Sequence, residues 1–240
     1  MNDLPTVTKN LLIINVLCFF GAVVGEKYGF DLNGICGLHF FMASDFKLWQ
    51  LITYMFMHAN LEHIFFNMFA VWMFGRTLEH VWGPKRFLIY YMVCGIGAGL
   101  IQELVTTIEY FTLTSSMSPE AVETVLREGS SVLHSGMNYV DLRMAKLNLV
   151  LNHSTVGASG AVYGILLAFG MLFPNSQMFV FPIPFPIKAK YFVIGYAVIE
   201  LLLGMSRAGD GIAHFAHLGG MLFGLLLILY WKKNNGQFYY

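Results

Sequence analysis

The chain has 240 residues, of which 57% are hydrophobic and only 12% are charged, and its formal net charge is zero. Soluble domains typically contain roughly 45–50% apolar and about 25% charged residues, so this chain carries more apolar surface than one soluble core can bury. These values exclude an ordinary soluble domain, a disordered chain and a nucleic-acid binder with a basic surface. They predict one integral membrane domain over residues 1–240.

Six segments are long and apolar enough to cross a bilayer as helices, the fourth of them only marginally. Their approximate bounds are 7–25, 59–79, 87–112, 158–173, 187–205 and 212–231. The run LITYMF at 51–56 is expected to lead directly into the second segment. The pattern predicts an all-α, polytopic membrane protein with six transmembrane helices.

The distribution of lysine and arginine predicts the orientation of these spans. With six spans both termini lie on one side, and that side carries eight of the fourteen Lys and Arg residues. The other six are spread over much longer connections, chiefly 26–58 and 113–157. Because cytoplasmic connections are enriched in basic residues, both termini are predicted to be cytoplasmic.

The connection between the third and fourth spans contains a predicted short helix. Ser118 is a candidate N-cap, Pro119 suits the first helical position, and Gly129 is a candidate C-cap. Val125 belongs to an apolar face that is expected to rest on the membrane or on the bundle.

Ionisable and amide side chains inside a span are costly, so they are candidates for function. The second span carries His58, His63 and Asn67, and the last two are four residues apart on one helix face. The fourth span opens with Ser159 between two glycines, and Tyr163 follows one turn later.

The sixth span places His217 on a helix face rich in glycine, and the fourth span has a similar face. Gly-x-x-x-Gly patterns at 160–164 and 220–224 allow close approach of two helix backbones. If these faces meet, Ser159 and His217 come within reach of each other, as proton transfer from a nucleophile requires. Ser159 also lies in the first turn of its helix, where free backbone N–H groups favour a developing oxyanion.

Three other interpretations of these residues stay open at this point. Small-residue packing alone explains a Gly-Ala-Ser-Gly sequence. His58, His63, His214 and His217 could supply four ligands to a metal ion, although their spacing includes no clear zinc pattern. A six-helix transporter could use the span histidines as proton carriers. It could use Glu103 and Glu200 in the same way, although the sequence itself assigns no role to these two acids.

Together these motifs resemble the rhomboid family of intramembrane serine proteases. The family sequence GxSG matches residues 157–160, AHxxGxxxG matches 216–224, and HxxxN matches 63–67. His58 and Tyr163 match further family positions. The resemblance extends over roughly residues 10–231. The glycines expected to serve packing are Gly157, Gly160, Gly164, Gly220 and Gly224.

The resemblance implies a protease with Ser159 as nucleophile and His217 as base, without a third acid, a metal or a cofactor. His63, Asn67 and the Ser159 N–H would hold the oxyanion, His58 would be auxiliary, and Tyr163 would stack on His217. An idle relative that only binds membrane helices is the alternative, which the intact pair disfavours.

The resemblance also implies how substrates reach the site. Substrates would be transmembrane segments in the lipid bilayer that enter past the fifth span, below a capping loop at 206–211. The expected location is a bacterial inner membrane. One departure is visible: Gln50 follows Trp49 in the first outer connection, where many family members have arginine.

Overall fold

The computed structural model describes residues 4–179, 184–206 and 213–235, and these residues are almost entirely helical. The sheet within these ranges is a two-stranded antiparallel pair of β1 (Gln177–Met178) and β2 (Ile187–Lys188). The helices are α1 (Thr6–Lys27), α2 (Leu32–Cys36), α3 (Gln50–Thr53), α4 (Leu61–Ala70), α5 (Arg76–Trp82), α6 (Pro84–Thr114), α7 (Pro119–His134), α8 (Leu142–Asn152), α9 (Ser159–Leu172), α10 (Ala189–Ser206) and α11 (His214–Asn235).

The predicted spans coincide with α1, the α4–α5 pair, α6, α9, α10 and α11. Four of these helices, α1, α6, α10 and α11, are long and apolar enough to cross a membrane by length and composition. Helix α9 is apolar but shorter, with 14 residues, and a π-helical turn over Val71–Gly75 joins α4 to α5. The all-α, polytopic architecture is confirmed.

The run at 51–56 does not lead directly into the second span. It forms most of α3 and a 3-10 turn over Tyr54–Phe56, and residues 57–60 separate that turn from α4. Helix α4 begins after Asn60, whose side chain accepts a hydrogen bond from the His63 N–H at 2.8 Å. The N-cap at Asn60 therefore fixes where the second span begins.

A buried carboxylate holds the first helix against the second span. Pro5 precedes α1 and offers no side-chain cap. Glu79 of α5 takes that role, because its carboxylate accepts hydrogen bonds from the N–H groups of Val7 at 2.9 Å and Thr8 at 2.7 Å. The Thr8 hydroxyl donates a further bond to it at 2.7 Å. Negative charge at a helix N-terminus is favourable, so this contact fixes α1 in the bundle.

Gln50 organises the connection between α1 and α4, in the position where the resemblance leads one to expect arginine. Its side chain is buried, whereas Trp49 is 54% exposed. The Gln50 amide accepts hydrogen bonds from the N–H groups of His39 and Lys47 and donates to the carbonyls of Ile35 and Asp45. A neutral amide thus ties together four points of this loop.

The connection between α6 and α9 is a helical hairpin of α7 and α8. The Ser118 side chain accepts the Ala121 N–H at 3.3 Å, so the N-cap prediction is confirmed. The C-cap prediction is wrong, because α7 continues to His134. Gly129 lies buried inside the helix, and a Cβ at this position would collide with the Asn148 side chain of α8. Helix α8 was not predicted.

Candidate active site

The local backbone presents Ser159 at the very start of α9. Gly157 has a φ of 135°, which favours glycine, and a Cβ there would lie 2.8 Å from the His63 Nε2. Ala158 is the N-cap and provides no side-chain cap. The Ser159 N–H therefore has no partner within the helix and stands beside its own half-buried hydroxyl.

His217 lies one turn into α11 and reaches this hydroxyl directly. Its Nε2 is 2.8 Å from the Ser159 Oγ, across 58 residues of sequence. The Tyr163 ring stacks on the imidazole with centroids 4.2 Å apart and planes 5° apart. The structure thus brings together the serine, the histidine and the tyrosine that the sequence singled out.

Glycine packing places the helices that carry this pair. A Cβ on Gly220 would overlap the Gly160 carbonyl, so α11 and α9 meet backbone to backbone at these two residues. Gly164 also faces this seam, since a Cβ there would lie 3.2 Å from the Gly220 carbonyl oxygen. Gly224 has the predicted packing role, but its neighbour is Tyr90 of α6 rather than α9. The Tyr90 hydroxyl lies against Gly224 and donates a hydrogen bond to the Gly164 carbonyl at 2.8 Å.

The Glu200 carboxylate lies beside the Nδ1 of His217, on the opposite edge of the ring from Ser159. The expectation that the site contains no third acid is therefore wrong. The Oε2 of Glu200 is 3.0 Å from the His217 Nδ1 and 2.7 Å from the His214 Nδ1. The Tyr163 hydroxyl donates a hydrogen bond to the other oxygen, Oε1. The sequence does contain signals, namely an isolated Glu in an apolar span and a second histidine three residues before His217. However, contact between α10 and α11 cannot be read from linear spacing.

His63 lies beside Gly157, two residues before Ser159 in the chain. The Ala59 N–H points at its Nδ1 over 3.5 Å, so the ring proton belongs on Nε2, the nitrogen nearest Gly157. Asn67 is buried, and its amide donates to the His63 carbonyl at 2.9 Å, leaving one amide N–H for another acceptor.

His58 supports the His63 ring from behind rather than facing Ser159. The two rings meet edge to face with centroids 5.1 Å apart. His58 is buried, and its two ring nitrogens have no hydrogen-bond partner among the described residues. In this structure His58 is therefore a packing partner of His63.

Three side chains could be considered for metal binding, but they differ from the four histidines suggested by the sequence. Glu200, His214 and His217 have potential ligand atoms within 4.8 Å of one another. The Glu200 oxygen lies 2.7 and 3.0 Å from the two Nδ1 atoms. Ligands about 2.0–2.2 Å from a tetrahedral zinc stand roughly 3.3 Å apart. The spacing therefore fits direct hydrogen bonds better than a shared ion.

Glu103, to which the sequence assigned no role, accepts the Phe41 N–H at 2.8 Å and so anchors the connection between α1 and α4 to α6.

The predicted capping loop at 206–211 lies almost entirely outside the described residues.

Comparison with known proteins places this site in a family. The chain matches the family model of the Rhomboid domain over residues 45–234, which is most of its length and includes Ser159, His217 and Glu200. The chain belongs to the rhomboid family. With its apolar helices, it is an integral membrane protein.

Several relatives are named as proteases. The chain is 24% identical over 229 residues to Rhomboid protease AarA of Providencia stuartii. The aligned stretch covers 92% of this chain and 70% of that protein. It is 25% identical over 225 residues to Putative rhomboid protease YdcA of Bacillus subtilis, covering 93% and 86%. Rhomboid protein 1, mitochondrial, of Saccharomyces cerevisiae is 27% identical over 193 residues, covering 77% of this chain and only 42% of that relative. Rhomboid relatives with protease names support an intramembrane protease activity.

Proposed function

We propose that this protein is a serine endopeptidase that cleaves transmembrane segments of other membrane proteins. The observation that carries the proposal is the 2.8 Å contact between the Ser159 Oγ and the His217 Nε2. This distance is within the range over which a base can take the proton of a nucleophile. Ser159 is half-buried, so a substrate can reach it, and His217 is almost fully buried behind it.

In the proposed reaction the Ser159 Oγ attacks the scissile carbonyl carbon while its proton passes to the His217 Nε2. The imidazolium then gives this proton to the leaving amine nitrogen as the C–N bond breaks, which leaves an acyl ester on Ser159. Water attacks the ester carbon, His217 takes a proton from it, and the proton returns to the Ser159 Oγ as the acid product leaves.

The proposed oxyanion donors are the Ser159 N–H, the His63 Nε2–H and the remaining N–H of Asn67. The first is free at the helix start, and the second points toward Gly157, next to the serine. Loss of one such donor typically lowers the rate by roughly 10²–10³. We therefore expect His63→Ala to lower kcat by about that factor, measured with a reporter substrate. A loss below about threefold would remove His63 from the oxyanion site.

The short length of α9 supports a site below the membrane surface. Fourteen residues at about 1.5 Å each extend about 21 Å, less than the roughly 30 Å of hydrocarbon. A helix of this length leaves its start inside the membrane when its other end reaches the opposite surface. Transmembrane segments are therefore the proposed substrates, with access past α10.

The proposed setting is a bacterial inner membrane with both termini in the cytoplasm. The charge distribution supports this orientation, and bacterial proteins are among the relatives. Mitochondrial and chloroplast proteins are also among the relatives. The proposed orientation is tested by a tag-accessibility assay on both termini in intact bacterial cells.

The test of the activity is cleavage of a fluorescent transmembrane reporter by the purified protein in lipid vesicles. We expect Ser159→Ala and His217→Ala each to abolish cleavage, because the two groups act as one unit. The chain offers a matched control pair on exposed α7, where the Ser130 hydroxyl lies 3.5 Å from the His134 ring. Ser130→Ala and His134→Ala should retain full activity. Near-normal turnover by folded Ser159→Ala protein would contradict the proposal.

A further inference from the structure

Glu200 is a buried carboxylate whose described hydrogen bonds all come from side chains around the proposed catalytic pair. Its side chain is 7% exposed, and it extends from α10, a helix most of whose residues are not buried. Oε2 faces both the His214 Nδ1 and the His217 Nδ1, and Oε1 faces the Tyr163 hydroxyl. These three donors come from α9 and α11, so Glu200 joins three helices at one point.

The donors and acceptors in this cluster assign the ring protons. An ionised carboxylate only accepts hydrogen bonds, so both Nδ1 atoms that face Oε2 must carry hydrogen. A neutral His217 with its proton on Nδ1 presents a bare Nε2, and that nitrogen is the one 2.8 Å from the Ser159 Oγ. Glu200 thus selects the tautomer that can accept the serine proton.

The same contact acts on charge during the reaction. When His217 takes the serine proton it becomes a buried cation, and an unpaired buried charge is costly. Glu200 supplies the opposite charge at 3.0 Å from the imidazole. His214 and the Tyr163 hydroxyl in turn hold the carboxylate in place from two other directions.

We infer that Glu200 is a positioning residue for His217, so that Ser159, His217 and Glu200 form a triad in which His214 and Tyr163 hold the acid. This inference rests on the proposed function. It adds to the proposal a third member contributed by α10, and a second histidine, His214, that contacts the carboxylate.

The kinetic test compares Glu200→Gln with Glu103→Gln. Both replace a span glutamate by its amide, but Glu103 accepts its hydrogen bond from the Phe41 backbone, away from the catalytic pair. In soluble serine proteases, replacing the triad acid by its amide lowers kcat by about 10⁴. We expect Glu200→Gln to lower kcat by at least about 10² with KM changed less than about threefold, Glu200→Asp to recover part of the loss, and Glu103→Gln to leave both constants near normal. A kcat within threefold of normal in folded Glu200→Gln protein would overturn the inference.

A spectroscopic test separates this inference from the proposed function. In protein labelled with ¹⁵N-histidine, ring-nitrogen shifts distinguish N–H from bare nitrogen, and comparison with His217→Ala assigns the signals. We expect the His217 Nδ1 to carry hydrogen in the wild-type and Ser159→Ala proteins, and this preference to be lost in Glu200→Gln. A bare Nδ1 in the wild-type protein would overturn the inference even if Glu200→Gln does not fold. Full activity of Ser159→Ala would instead overturn the proposed function and leave the ring assignment intact.

Discussion

Helices α9 and α10 both contribute to the candidate site, but they are held in the bundle by different forces. In α9, nine of 14 residues are buried, and glycines allow other helices to touch its backbone. In α10, three of 18 residues are buried, and one of the three is Glu200. Close packing on most sides therefore fixes Ser159. Helix α10 packs through few residues, such as Val193 against Gly170, and adds the hydrogen bonds of Glu200.

This difference has a consequence for access to the site. Most of α10 faces outward, and its polar attachment is to Tyr163, His214 and His217. A lateral displacement of α10 would lengthen the contacts of Glu200 before it disturbed the packing of Ser159. The helix past which substrates are proposed to enter is thus also the one from which Glu200 contacts His217.

The largest effect is expected where close packing is broken. A Cβ branch at Gly220 collides with the Gly160 backbone, which cannot move aside as a flexible side chain would. A displacement of about 1 Å in a catalytic group can lower the rate by on the order of 10²-fold. We expect Gly220→Val to reduce cleavage by at least that factor and to lower the melting temperature, measured in the same detergent.

The matched control for this substitution is on α10. A Cβ on Gly195 meets no atom within 4 Å, so Gly195→Val should leave the rate and the melting temperature close to those of the wild type. Equal losses in both variants would mean that the two helices do not differ in how they are held. Full activity in Gly220→Val would mean that α9 and α11 do not meet at this residue.

A smaller effect is expected from Tyr163→Phe, which changes the hydrogen bond between Tyr163 of α9 and Glu200 of α10. The substitution removes the hydroxyl that donates to Glu200 but keeps the ring that stacks on His217. His214 and His217 still hold the carboxylate, so we expect kcat to fall by only about three- to tenfold. This corresponds to about 0.7–1.4 kcal/mol, less than the roughly 1.5–3 kcal/mol of a hydrogen bond to a charged group. A loss as large as that of Glu200→Gln would show that Tyr163 acts in another way.

The sequence predicted the main helices of the bundle well, because long apolar runs leave few structural alternatives. It also indicated Ser159, His217 and His63, whose chemistry is unusual inside a membrane. It missed α8, where the outward position of the hairpin removes the hydropathy signal. It also missed the contact of Glu200 with His217, because the relative rotation of α10 and α11 depends on packing across the whole bundle.

Two glycines have neighbours that the sequence did not indicate, for the same reason. Gly129 has the residue type of a helix terminus, but Asn148 of the next helix, α8, leaves no room for a side chain there. Gly224 continues a face that meets α9 at Gly220, but α6 occupies that position one turn later. Local patterns identify where helices can approach closely, and only the assembled bundle determines which helix does so.

The most direct test of the account is to map where a fluorophosphonate probe attaches to the protein in lipid vesicles. These probes phosphonylate an activated serine with loss of fluoride, so peptide mass spectrometry can report both the residue and the rate. We predict a single modification on Ser159, at least about 10²-fold slower in His217→Ala and absent in Ser159→Ala. Labelling of another serine, or equal labelling of Ser159 with and without His217, would contradict the account.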